Sequence, residues 1–193
     1  DTSFWTPSGR KGGKGQYILA VGNCGRRDYA LLIKVAERMG GHFKIVSSQK
    51  PRCQIPPNVE LVRDRSFFWE EISDIELREL YRGALCVVVP LIQTQQPSGQ
   101  SVSLQAMACG TPVILTTTLG LWSRNLLVSW KNIVLVDVGN ADQLEEAIKQ
   151  LQRDNQLRCD IAKRAYELVY STWTIDKFSE RVVQMMHRVQ NSF

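Results

Sequence analysis

The run ALCVVV, Ala84 to Val89, closed by Pro90, is the stretch that most restricts how this chain can fold. It has strand length and no polar face, which suits a strand covered on both sides, as in a parallel sheet. Two more apolar runs of this kind occur, YILAVG from Tyr17 and PVIL from Pro112 to Leu115. Between such runs the period changes to that of helices. Tyr29 to Met39 puts Leu31, Leu32, Val35 and Ala36 on one face and stops at Gly40-Gly41.

The same reading places further strands at Phe43 to Ser47, Val59 to Arg63 and Ile133 to Val136. Ser73 and Glu76 have capping-box spacing before a helix from about Ile75 to Arg82. Caps near Asn140, Asp154 and Thr174 introduce helices over Gln143 to Gln152, Asn155 to Ser171 and Ile175 to Gln190. A short helical patch is expected near Leu121 to Val128, and a surface loop anchored by Phe67, Phe68 and Trp69 at Ser66 to Glu71. Strands alternating with helices imply an α/β fold: a Rossmann-like, doubly wound parallel sheet of about six strands with helices on both faces and right-handed crossovers.

Residues 1–15, DTSFWTPSGRKGGKG, carry glycines and basic residues without apolar periodicity and read as a linker or arm. The glycine run fits neither GxxxxGK[ST] nor GxGxxG, and no strand precedes it. Residues 16–193 suit one domain with a closing C-terminal helix. The net charge of +5 is scattered, so nucleic acid is not an expected partner. The five cysteines are odd in number and lack CxxC spacing, so neither a metal site nor a disulfide framework is expected. No apolar run approaches the roughly 20 residues of a bilayer span, and a cytoplasmic location with Cys86 and Cys109 as buried thiols is expected.

The chemistry concentrates in PSGQSVSLQAMACGTPVIL, Pro97 to Leu115. A loop carrying Gly99 leads into a short helix whose first N–H groups point back at the loop, a geometry that binds anions, phosphate above all. The other reading is a helix packed in a core behind a polar lead-in. In an open parallel sheet ligands lie beyond the carboxyl ends of the strands, here at Asn23 to Asp28, Leu91 to Ser101 and Thr116 to Gly120. Arg26 and Arg27 suit a diphosphate, or a solvated turn. The threonines suit a phosphate, or a strand cap. No Ser-His-Asp, Cys-His or paired-carboxylate arrangement is legible, so catalytic residues are not assigned. His42 and His187 read as structural and the five tryptophans as packing anchors. Such a chain is a binding half, or carries a site that another domain completes.

QPSGQSVSLQAMACGTPVIL resembles the donor-site signature of the family 4, or group 1, glycosyltransferases, E-x7-E followed by AMACGxPV. DTSFWTP resembles that family's interdomain linker, ELYRGALCVVVP the helix and strand before the signature, and STWT at Ser171 to Thr174 the stretch before the closing helix. The resemblance implies one half of a GT-B fold, the nucleotide-sugar-binding domain of a retaining, hexosyltransferase-like enzyme, inactive when isolated. It implies a nucleotide-diphosphate sugar as donor substrate, no cofactor and no metal. The acceptor, a glycan, lipid or small molecule, would be held by a missing N-terminal domain, which leaves room for peripheral membrane association of the full-length protein. Arg27 falls on the family's phosphate-contacting lysine, with Arg26 beside it. Gly99, Gln100 and Ser101 would cover the diphosphate, while Gln105, Gln96 and Ser98 would meet the ribose and sugar.

This chain departs from the family pattern at three places. Gln105 replaces the second acidic residue, Pro97 the first, and Asn23 stands where an arginine is usual. A glutamine amide can bond a ribose hydroxyl, but without the charge that roughly doubles the strength of a carboxylate's hydrogen bonds. A catalytically silent sugar-nucleotide-binding or interaction module is one alternative, and another GT-B enzyme such as a sugar-nucleotide epimerase is a second.

Overall fold

A computed structural model describes residues 1–8, 15–62 and 72–190. The strands are β1 (Tyr17–Val21), β2 (Phe43–Val46), β3 (Val59–Val62), β4 (Ala84–Val89), β5 (Val113–Thr117) and β6 (Val134–Asp137). The helices are α1 (Tyr29–Met39), α2 (Asp74–Gly83), α3 (Gln100–Ala108), α4 (Ala141–Arg153), α5 (Asn155–Thr172) and α6 (Ile175–Gln190). All strand pairs are parallel, in the order β3-β2-β1-β4-β5-β6. The six-stranded, doubly wound sheet expected from the apolar runs is therefore the observed architecture.

Side chains alternate across the sheet, as the two-residue period of a strand requires. Leu19, Val87, Val89, Val113 and Leu115 join a core with Tyr81 of α2 and Ala106 and Met107 of α3. Ile18, Ala20, Val88 and Ile114 join the other, with Leu32, Val35 and Ala36 of α1 and Leu144 and Ile148 of α4. Helices cover both faces, which is why β4 tolerates no polar residue. The capping box at Ser73 forms as expected, with Glu76 N–H donating to Ser73 Oγ and Ser73 N–H to Glu76 Oε2. Asp28, Asn140, Asp154 and Thr174 each accept from the N–H three residues on.

Two expectations change. The helical patch near Leu121 to Val128 is a series of turns instead. Ser123 has φ +47, outside the right-handed helical region, and Asn132 closes the segment by accepting from Val128 N–H and donating to the Leu126 carbonyl. The threonine run after β5 begins inside that strand, since Thr116 and Thr117 are paired with Val136 and Asp137. The aromatic loop at Ser66 to Glu71 lies outside the described residues.

The first residues are seated on α2. Arg82 donates from Nε to the Thr6 carbonyl at 2.8 Å and from Nη2 to Thr6 Oγ1 at 2.7 Å, and Arg78 Nη1 donates to the Phe4 carbonyl at 3.2 Å. Trp5 is buried edge-on against Tyr81, their centroids 5.8 Å apart. At the opposite terminus, no residue of α6 is buried.

Candidate functional site

The strand order reverses direction between β1 and β4, so the loops that follow these strands part and leave a crevice at the sheet's carboxyl edge. The floor of that crevice is zipped. Ile92 N–H donates to the Arg26 carbonyl at 3.0 Å, Asp28 N–H donates to the Pro90 carbonyl at 3.0 Å, and Arg27 and Leu91 form an isolated antiparallel bridge. Leu91 N–H in turn donates to Thr116 Oγ1 at 3.1 Å, a buried bond that assigns this threonine to the backbone.

The wall after β4 is fixed to the loop after β5. Leu119 N–H donates to Gln93 Oε1 at 3.0 Å and Gly120 N–H to the Thr94 carbonyl at 2.8 Å. A Cβ on Gly120 would lie 2.5 Å from the Gln96 carbonyl oxygen, so this close approach requires glycine. Arg124 Nη2 donates to the Thr118 carbonyl at 2.7 Å, holding the far side. Sequence reasoning named the loops that carry Gln93 and Gly120 without singling out these residues, and it missed Arg124. Their partners are loop carbonyls, N–H groups and backbone atoms, which leave no periodic signal.

Gly99 caps α3 in the left-handed region, φ +79, and supplies no side-chain acceptor. The first helical bond is Ser103 N–H to the Gly99 carbonyl, so the N–H groups of Gln100 and Ser101 precede the helical ladder and face the loop. Ser98 is buried while Gln96, Gln100 and Ser101 are exposed or nearly so. Across the crevice, Arg26 Nη2 donates to Gln96 Oε1. The structure thus brings Arg26, Gln96 and the start of α3 to one edge.

Arg27 is placed differently. Its Nε donates to the Val21 carbonyl at 3.1 Å and its guanidinium lies over Gly22, beside a half-buried Cys24. Part of its donor set therefore closes the end of β1. Asn23 also has a structural task, accepting from Ser48 N–H at 2.7 Å and receiving Gln49 Nε2 on its carbonyl at 2.6 Å, which ties the loop after β1 to the loop after β2. Gln105 sits deeper along α3, half-buried, with Oε1 accepting from the Tyr81 hydroxyl at 3.1 Å. Burial pushes the Tyr81 phenol far above its ordinary range, and pushes Tyr29, which donates to the Gly22 carbonyl, up to about 12. Both remain neutral donors. His42, just before β2, pairs with Glu60 of the edge strand β3 at 3.2 Å. Among the described residues no group of three His, Cys, Asp or Glu side chains is arranged to hold a metal, and no helix is long and apolar enough to cross a membrane.

A helix start with open N–H groups, an arginine bonded to Gln96 in the loop that leads to it and a half-buried amide behind it can bind a phosphorylated ligand electrostatically and orient it. The model of the family described as glycosyl transferases group 1 matches residues 59–168, more than half of the chain. The chain is 29% identical over 99 residues to the lipopolysaccharide core biosynthesis glycosyltransferase LpsE of Rhizobium meliloti, a match covering 51% of this chain and 28% of that protein. It superposes on the C-terminal domain of a glycosyl transferase group 1 family protein (LpcC) from Francisella tularensis with a TM-score of 0.71 and 19% identity, over 91% of this chain and 98% of that one. Anabaena HepE in complex with UDP gives a TM-score of 0.78 at 15% identity, over 97% of this chain and 55% of that one.

Proposed function

The chain belongs to the glycosyl transferases group 1 family, and from that premise we propose that it is the donor-binding half of a retaining glycosyltransferase. It would take a nucleoside diphosphate sugar, without a resident cofactor or metal, and an upstream domain would present the acceptor. The observation that carries this reading is the meeting of Arg26, Gln96 and the open first turn of α3 at the crevice between β1 and β4. The diphosphate would lie on the N–H groups of Gln100 and Ser101 with Arg26 against it. As the glycosidic bond breaks, negative charge develops on that leaving group, and fixed donors there lower the barrier. Gln105 would meet the ribose. UDP is the first nucleotide to try, because HepE is a neighbour of this fold in complex with it.

Nucleotide sugars of this kind would be used in the cytoplasm, and a lipid-borne acceptor would bring the full-length protein to a membrane surface. A second reading, a silent nucleotide-sugar-binding module, is favoured by Pro97 and Gln105 at the two acidic positions of the resemblance. Sugar transfer by the full-length protein separates the two. Calorimetric titration of this chain with UDP tests the site itself: Arg26→Ala should weaken binding about tenfold, the value of one charge-assisted hydrogen bond. Unchanged affinity would remove Arg26 from the site.

A further inference from the structure

We propose that Tyr81 is a positioning residue of the nucleotide site: its hydroxyl holds the Gln105 amide with Oε1 turned inward, so that Nε2, a donor, is what faces a ligand. This rests on the reading of Gln105 as the ribose contact. Where a carboxylate would offer only acceptors, this chain would offer the ribose an N–H.

The Tyr81 side chain has little freedom. It is fully buried on α2, its own carbonyl accepts from Thr111 Oγ1 at 2.7 Å, and its ring meets Trp5 at an interplanar angle of 70°. Trp5 is packed in turn against Phe4, centroids 5.0 Å apart, and Phe4 lies under the Arg78 guanidinium. The phenol is therefore wedged between α2, α3 and the seated N-terminal residues, with its hydroxyl 3.1 Å from Gln105 Oε1. A side-chain amide has one carbonyl oxygen and one amino group. With the oxygen held by Tyr81, the amino group is the remaining polar end. The flipped amide would set Nε2 against the hydroxyl and leave the phenol proton without an acceptor in a dry site, the costlier arrangement.

The contacts that hold Gln105 join distant parts of the sequence. Trp5, Tyr81 and Gln105 come from three segments, and the ring that steadies Tyr81 belongs to the stretch that leads into the domain. The geometry of the ribose contact is thereby linked to how residues 1–8 are seated.

The test is calorimetric titration of the whole chain with UDP and with 2′,3′-dideoxy-UDP, in the wild type, Tyr81→Phe, Gln105→Met and the double variant, at a temperature below the melting transition of each. Tyr81→Phe keeps the ring against Trp5 and removes only the hydroxyl. It should weaken UDP by roughly threefold to tenfold, the range of one neutral hydrogen bond, and leave the dideoxy analogue within about twofold. The double variant should match Gln105→Met, because Tyr81 acts through Gln105. Equal weakening of both ligands by Tyr81→Phe would reduce its role to packing and overturn the proposal. If Gln105→Met weakens UDP and Tyr81→Phe does not, the ribose reading stands and the positioning role falls. If Gln105→Met leaves UDP unchanged, the ribose reading fails and takes the proposal with it.

Discussion

Replacing Gly99 by alanine probes the point at which backbone conformation, core packing and ligand geometry meet. The residue has φ +79, and a Cβ there would lie 2.6 Å from Val89 Cγ1 and 3.5 Å from Leu115 Cδ1. Val89 and Leu115 are fully buried in the sheet, so neither side chain can swing into solvent. Two costs arise. Holding alanine in the left-handed region costs about 1–2 kcal/mol, and forcing a methyl into a packed core costs about 1–3 kcal/mol. Together they lower the unfolding free energy by about 2–5 kcal/mol, a large share of the 5–15 typical of a domain. In urea, with a slope near 2 kcal/mol/M, the midpoint should fall by about 1–2.5 M. Val89→Ala separates the terms, because it makes room for the new methyl without relieving the backbone. The double variant should be about 1–3 kcal/mol more stable than the sum of the single effects predicts. Strict additivity would show that the clash does not exist. A single variant within 0.5 kcal/mol of wild type, the range of an ordinary surface change, would refute the strain as well.

Two further outcomes follow from the same core. Trp5→Ala should cost about 3–5 kcal/mol in urea unfolding, as for a buried aromatic residue, because Trp5 packs on Tyr81; a loss below about 1 kcal/mol would mean that residues 1–8 are not seated in solution. Burial raises Cys86 and Cys109 from 9.0 to about 12 and Tyr17 and Tyr29 from 10.0 to about 12. The unfolded chain therefore releases these protons first. Stability should be full below pH 9 and fall as pH rises from about 9 toward 12, so a urea midpoint that is flat or rising between pH 8 and 10.5 would contradict this burial.

The β/α alternation was legible because each element announces itself locally. The extent of α1 follows from its apolar spacing and the Gly40-Gly41 stop, while its Asp28 cap emerged only in the structure. The start of α2 follows from a four-residue capping box. The turns at Leu121 to Val128 did not follow, because what prevents a helix there is Asn132, several residues downstream, reaching back to Leu126 and Val128. The seating of residues 1–8 was invisible for the same reason. These residues have no periodicity of their own, and the arginines that hold them lie more than seventy positions away on α2.

The candidate site divides along the same line. The start of α3 and the arginine pair could be read from residue type and order, whereas the different tasks of Arg26 and Arg27 depend on which guanidinium reaches the Val21 carbonyl and which crosses to Gln96. That division bears on the missing acidic residues. The stretches Gly22 to Asp28, Pro90 to Gly99 and Thr118 to Gly120 contain one carboxylate, Asp28, and it is occupied with the Leu31 N–H at the start of α1. A glutamate in place of Gln96 would pair with Arg26 through a charge-assisted bond and hold its charge in competition with a ligand phosphate. The neutral amide positions the guanidinium without cancelling it. With Gln105 also uncharged, the crevice stays positive beside the N-terminal end of α3, which would favour an anionic ligand such as the diphosphate proposed above.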